Sequence, residues 1–224
     1  MNVLVVVAHP DDEVLGAGGV MARHAARGDA VDTIIVADGE AARSGHKPSD
    51  VEGREKSAIR AAEILGSRKP KFLGFRDQRL DSVPLLDIVQ KIEAAALKLQ
   101  PSLIYTHHLH DLNADHRIVA GAVLTAFRPV PDSSVRAIYA CEIASSTEWM
   151  PAAAATAFLP RRFVDISGTL ARKIEALRCY DGEMRSFPHP RSYEALAALA
   201  RWRGANVGLE AAEAFDILRE IDRS

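Results

Sequence analysis

A single α/β domain, built on a Rossmann-like, doubly wound and mostly parallel sheet with helices on both faces, is the fold this sequence predicts. Three observations carry that prediction. A continuous apolar, β-branched run at Val3–Ala8 reads as a strand buried on both faces, and Val31–Ala37 and Ser102–Thr106 read as further buried strands. Segments with apolar residues at helical spacing lie between them, so strand and helix alternate through roughly the first 140 residues, the order of βαβ units. Finally, 224 residues, 48% of them hydrophobic, suffice for one sizeable core, and no repeat, long linker or low-complexity tract divides the chain. One domain over 1–224 is expected, its part from about residue 140 onward shaping a pocket.

The elements follow in order. Val3–Ala8 is the first strand, broken by His9-Pro10. Glu13 to Arg27 is a helix with a small-residue start at Gly16, Gly18 and Gly19, ended by Gly28-Asp29. Val31–Ala37 is the second strand, and the polar stretch Gly39–Asp50 is a loop. Val51–Leu65 is a helix stopped by Gly66, Lys71–Leu73 a short strand, and Leu85–Gln100 an amphipathic helix stopped by Pro101. Ser102–Thr106 is a strand that runs straight into HHLHDLNADH, after which Arg117–Phe127 is helical. Val135–Ala140 and Phe163–Ile166 are strands, Leu170–Tyr180 and Tyr193–Arg203 helices, and Ala211–Phe215 belongs to a last short helix.

Bulk properties exclude several classes. A net charge of -2 and a pI near 6.4 offer no basic surface for nucleic acid or acidic lipid. Cys141 and Cys179 lie far apart without CxxC spacing, as reduced thiols do in a cytosolic protein. The apolar run Val3–Ala8 is too short for a signal-peptide core or a membrane span. The expectation is a soluble, cytoplasmic protein with a small-molecule partner, no nucleic acid and no membrane span.

In an open parallel sheet, ligands bind outside the carboxyl ends of the strands. Three polar clusters sit at such ends: His9–Glu13, Asp38–Glu40 and His107–His116. The first packs an imidazole and three carboxylates into five residues, His9-Pro10-Asp11-Asp12-Glu13. Adjacent carboxylates repel unless a cation, hydrogen-bond donors or protonation offsets them. A divalent metal would do so, with His9 and Asp12 reaching one ion; equally, Asp11 or Asp12 could simply cap the following helix. The second cluster holds half of the chain's eight histidines. Neutral imidazole is a common metal ligand, and one histidine from here would complete a three-ligand set with a position left for water.

These residues resemble the PIG-L/LmbE-type deacetylases. The resemblance rests on AHPDDE (Ala8–Glu13) and on Asp115-His116 within DLNADHR. It extends through Asp38-Gly39-Glu40, Arg54-Glu55, Ser146-Thr147-Glu148-Trp149, His189-Pro190-Arg191-Ser192 and Ala212-Glu213-Ala214-Phe215, so it covers nearly the whole chain. It implies a zinc-dependent hydrolase that removes an acyl group, typically acetyl, from an N-acylated amino sugar or glycoconjugate. His9, Asp12 and His116 would bind the metal, and such a set also accepts ferrous iron. Asp11 would be the general base for the metal-activated water. Asp115 would orient a histidine from behind. Arg54, with Glu40, Asp77 and His189, would contact substrate. Relatives are often homo-oligomers, and Trp149, Trp202 and the alanine-rich Pro151–Ala157 stretch are candidates for such an interface.

The chain departs from the family at one place. Many members have a histidine three residues before the metal-binding one, where this sequence has Asn113. Asparagine can donate a hydrogen bond but cannot deliver a proton at neutral pH. The reading favoured here has Asp11 return its proton to the leaving amine, with His110 or Asn113 supporting the oxyanion; His107, His108 and His189 are further acid candidates. Two other functions compete. A nucleotide-binding protein would use Gly16-Ala17-Gly18-Gly19, but neither G-x-G-x-x-G nor G-K-[ST] is present. A non-catalytic metal-binding protein would keep His9, Asp12 and His116 but would not need Asp11.

Overall fold

The structure is a computed structural model that describes residues 1–222 apart from 46, 152 and 154–156. Most of the alanine-rich 151–157 stretch therefore lies outside the described residues. Five strands, β1 (Asn2–Val7), β2 (Ala30–Ala37), β3 (Lys71–Phe75), β4 (Leu103–His107) and β5 (Ala137–Cys141), run parallel. Two more, β6 (Arg162–Asp165) and β7 (Ala212–Glu220), complete one seven-stranded sheet in the order β3-β2-β1-β4-β5-β7-β6, with β7 antiparallel to both neighbours. The predicted doubly wound, mostly parallel sheet is the observed one.

Helices α1 (Asp12–Ala26), α2 (Pro48–Leu65), α5 (Leu170–Leu177) and α6 (Tyr193–Ala205) pack together on one face. On the other lie α3 (Leu85–Ala96) and α4 (Ala114–Ala126). This explains the unbroken apolar run of β1: Val3, Val5 and Val7 face the core beneath α1, while Leu4, Val6 and Ala8 face the one beneath α3 and α4. The order of the sheet reverses at β1, which lies between β2 and β4, so the crevice between the ends of β1 and β4 is a topological switch point.

One expected element changes type. Ala211–Phe215 is not a short helix: Ala212–Phe215 opens β7, with Ala211 just before it. Alanine and glutamate favour helix locally, yet Ala211 and Phe215 face the α1 core on a period of two, and the ladders to β5 and β6 override propensity. Glu213 lies between them on the same face and accepts the Gly19 and Val20 N–H groups of α1 at 2.8 and 2.7 Å. Lys173 of α5 completes this buried clasp, bonding Glu213 at 2.7 Å and the Leu15 carbonyl at 2.8 Å. The glycines of α1 are likewise explained by packing. A Cβ on Gly16 would lie 2.7 Å from Cys141 Cβ, and one on Gly19 2.8 Å from Ile166. They let α1 approach its neighbours closely, which removes the sequence feature behind the nucleotide-loop alternative.

Candidate metal centre

β1 ends at Val7, and His9 to Asp12 make the turn into α1. The turn is tight: Asp11 has φ 126°, a conformation rare for a non-glycine residue. It is held by the side chains around it. Asp12 accepts the His9 N–H at 2.9 Å, and Glu13 accepts the Asp11 N–H at 3.0 Å while taking a second hydrogen bond from the Tyr180 hydroxyl. Burial pushes Glu13 up to about 7. The helix-cap alternative for the aspartates loses force, because Asp11, at the N-cap position of α1, makes no side-chain cap hydrogen bond.

The second cluster arrives from β4. Asn113 caps α4 by accepting the Asp115 N–H at 2.8 Å, so the helix begins at Ala114, three residues earlier than the sequence suggested. Asp115 and His116 therefore stand in its first turn, facing His9 and Asp12 across the switch point. His9, Asp12 and His116, all buried, each offer a ligand atom, and these atoms lie within 4.8 Å of one another.

Each imidazole is oriented from behind. His9 Nε2 lies 3.0 Å from Asp77 and 3.2 Å from Asp115, which directs Nδ1 to Asp12 at 3.3 Å. Asp115 is itself held by the N–H groups of Gln78 and Leu80, at 2.8 and 3.2 Å. His116 Nδ1 lies 3.1 Å from Asp111, which directs Nε2 to Asp12 at 3.2 Å. Asp111 accepts hydrogen bonds from the Ser146 and Thr147 hydroxyls. Carboxylates placed behind two imidazoles orient the rings so that their inner nitrogens could take a cation.

The donor set fits a divalent cation. Asp12 Oδ1 and His116 Nε2 are buried without a hydrogen-bond partner, a state that such groups avoid unless something else binds them. Electrostatics agree. Burial alone would push both imidazoles down, but Asp115, Asp12 and Asp77 around His9, and Asp12 and Asp111 around His116, outweigh it and hold both above their ordinary range. Without a metal, protonated imidazoles supply the positive charge that this nest of carboxylates demands. A second triad, His9, Asp77 and Asp115, is also close enough to share an ion. Its carboxylates already have partners, in His9 and two backbone N–H groups, so the first triad fits better.

Asp11 stands beside the cluster, 3% exposed. Arg191 donates to its Oδ2 at 3.0 Å, and Arg54 approaches within 3.7 Å. Burial raises the Asp11 proton affinity, and the two guanidiniums only partly offset it. Arg54 also meets Glu40 at 3.4 Å and Glu183 at 3.1 Å, so Glu40 and Arg54 form one wall. Gly39 permits this, since a Cβ there would lie 3.0 Å from Pro10 and 3.4 Å from Arg54.

The remaining candidates are more peripheral. Asp77 is engaged with His9. His189 is half-buried, accepts the Arg191 N–H at 3.0 Å and meets Trp149 edge-on. His110 is exposed and packs edge-on against His108. Asn113 has its side-chain oxygen committed to the helix cap. Sequence reasoning missed Asp111, Glu183 and Arg191. Asp111 lay within the histidine cluster and Arg191 within His189–Ser192, but only the fold shows whom they touch. His107 is fully buried, accepts the Ala8 N–H at 2.8 Å and stacks on His116, and burial pushes it down to about 3, so it is a neutral wall of the site.

The PIG-L family model, described as GlcNAc-PI de-N-acetylase, matches residues 4–127, more than half of the chain. The chain is 29% identical over 154 residues to a probable N-acetyl-alpha-D-glucosaminyl L-malate deacetylase 2 of Bacillus cereus, covering 66% of this chain and 70% of that one. It is 30% identical over 237 residues to a 4-oxalmesaconate hydratase of Pseudomonas putida, covering 94% and 84%. In fold it is similar to the N,N'-diacetylchitobiose deacetylase of Pyrococcus horikoshii, with a TM-score of 0.77 at 21% identity over 97% of this chain and 83% of that one.

Proposed function

The chain belongs to the PIG-L family, and on that premise we propose that it is a metal-dependent N-deacetylase that removes an acyl group from an N-acylated amino sugar or its conjugate. The observation that carries this reading is the triad His9, Asp12 and His116, in which Asp12 Oδ1 and His116 Nε2 lack hydrogen-bond partners, with a buried carboxylate, Asp11, beside it. The triad would hold zinc or ferrous iron, and the chemistry such a cation supplies is polarisation of the amide carbonyl and activation of water. Asp11 takes the proton of the attacking water and returns it to the nitrogen as the C–N bond breaks, releasing a carboxylic acid and the free amine. Its raised proton affinity suits both transfers. Asp77 and Asp115 keep His9 oriented, and Asp111 does the same for His116. Arg54 and Glu40 offer donors and acceptors for sugar hydroxyls, with His189 at the rim. A non-catalytic metal protein would have no use for a buried, doubly flanked Asp11.

The test combines metal analysis with an amine-release assay on N-acetylglucosamine conjugates. Asp11→Asn is expected to keep its metal and lose hydrolysis; His116→Ala is expected to lose both. Hydrolysis untouched in the first and metal untouched in the second would overturn the reading. One observation favours a second reading, the identity to a hydratase over most of both chains. Assaying water addition to an unsaturated carboxylate in parallel separates the two, since a hydratase releases no amine.

A further inference from the structure

Two segments singled out in the sequence, Ser146–Trp149 and His189–Ser192, have so far supplied hydroxyls to Asp111 and a histidine at the rim. They meet at Arg191. Its Nη1 donates to Asp11 Oδ2 at 3.0 Å, and its Nε donates to Ser145 Oγ at 2.8 Å and to the Ala144 carbonyl at 3.3 Å. Its own backbone is fixed on both sides: its N–H donates to His189 Nδ1 at 3.0 Å, and its carbonyl accepts the Arg185 N–H at 3.2 Å. The next residue, Ser192, caps α6 by accepting the Ala195 N–H at 3.0 Å. The guanidinium thus projects from a rigid helix start.

Ser145 leads into the loop that holds the other half of the site. Glu148 accepts its N–H at 2.6 Å, and Ser146 and Thr147 bond Asp111, which faces His116. One hydrogen-bonded path therefore runs from Asp11 through Arg191 and the 144–147 loop to Asp111, whose carboxylate lies 3.1 Å from His116 Nδ1. Both residues that Arg191 grips by their side chains have positive φ, 126° for Asp11 and 65° for Ser145. Non-glycine residues keep such conformations only where their surroundings over-determine them. Arg54 cannot substitute, being 3.7 Å from Asp11 and closer to Glu40 and Glu183.

We propose that Arg191 is the positioning residue of Asp11, clamping the carboxylate in register with the loop that holds Asp111 behind His116. The catalytic consequence rests on the reading of Asp11 as general base; the clamp itself does not. A misplaced base slows the chemical step without weakening substrate binding, and displacement by about 1 Å can lower a rate by ~10²-fold.

The experiment compares the zinc-loaded wild type with Arg191→Ala and Arg191→Lys. For Arg191→Ala, kcat for amine release is expected to fall ~10²-fold at unchanged KM and zinc content, with added guanidinium ion restoring part of it. Arg191→Lys, which keeps a cation but not the fork, is expected to retain its fold and show an intermediate kcat. Crystal structures of the two variants are expected to show the Asp11 carboxylate turned from its wild-type orientation in the alanine form. Wild-type kcat in Arg191→Ala, or an unmoved Asp11 in its crystal structure, overturns the proposal. If the wild type releases no amine from any acylated sugar, the deacetylase reading falls, and the crystal structures alone decide the clamp.

Discussion

The residues of the site divide by whether they face the point where the His9, Asp12 and His116 ligand atoms converge or stand behind those that do; what each does follows from its partners. Asp111 shows this most clearly. It meets no substrate-facing group, yet two hydroxyls hold one of its faces and His116 the other. Asp111→Ala is expected to weaken zinc affinity by about 10- to 100-fold while leaving all three ligands in place, read by competition with a chelator. Asn113 shows the opposite. Its place in the motif suggested an oxyanion donor, but its oxygen caps α4. Asn113→Asp keeps that cap and is expected to keep near wild-type stability, whereas Asn113→Ala is expected to lose about 1 kcal/mol in denaturant unfolding.

Among the elements, α1 bears the strictest demands, because it starts at the metal cluster and is packed by glycine against its neighbours. The Glu213–Lys173 clasp bonds this helix from both β7 and α5. Removing one partner leaves a buried charge uncompensated. Glu213→Ala is expected to destabilise the protein by about 3–5 kcal/mol in urea unfolding. Gly19→Ala introduces a Cβ at 2.8 Å from Ile166 and is expected to lose about 1–3 kcal/mol by overpacking. A loss below 0.5 kcal/mol in either would show that α1 is held by something other than this clasp and close packing. α4 follows the same logic with a different device, a side-chain cap, and that cap is why its first turn carries both Asp115 and His116.

For the whole molecule, the fold gathers carboxylates and imidazoles from β1, β4 and the loops that follow them at one switch point. In the metal-free state protonated imidazoles offset those carboxylates, a role that a bound cation takes over. A cation that binds only the folded state at 1,000 times its Kd adds about 4 kcal/mol. Chelation is expected to lower Tm, zinc to restore it, and His9→Ala to show no zinc-dependent change. Much of this was legible in the sequence. Apolar β-branched runs determined the parallel strands, and helix breakers determined most boundaries, because both depend on local chemistry. AHPDDE and the histidine cluster marked the residues that converge at the switch point, and the family resemblance picked His9, Asp12 and His116 from among them. Tertiary structure alone decided that Ala212–Phe215 is a strand, since sheet pairing and a period-two core face outweigh the helical preference of alanine and glutamate. It alone decided which carboxylate stands behind which histidine, and that Arg191 grips Asp11 across 180 positions of chain. Side-chain partners so distant in sequence leave no periodic signal, because what brings them together is the packing of α6 against β7 and α5, which sets the turn before it beside Asp11.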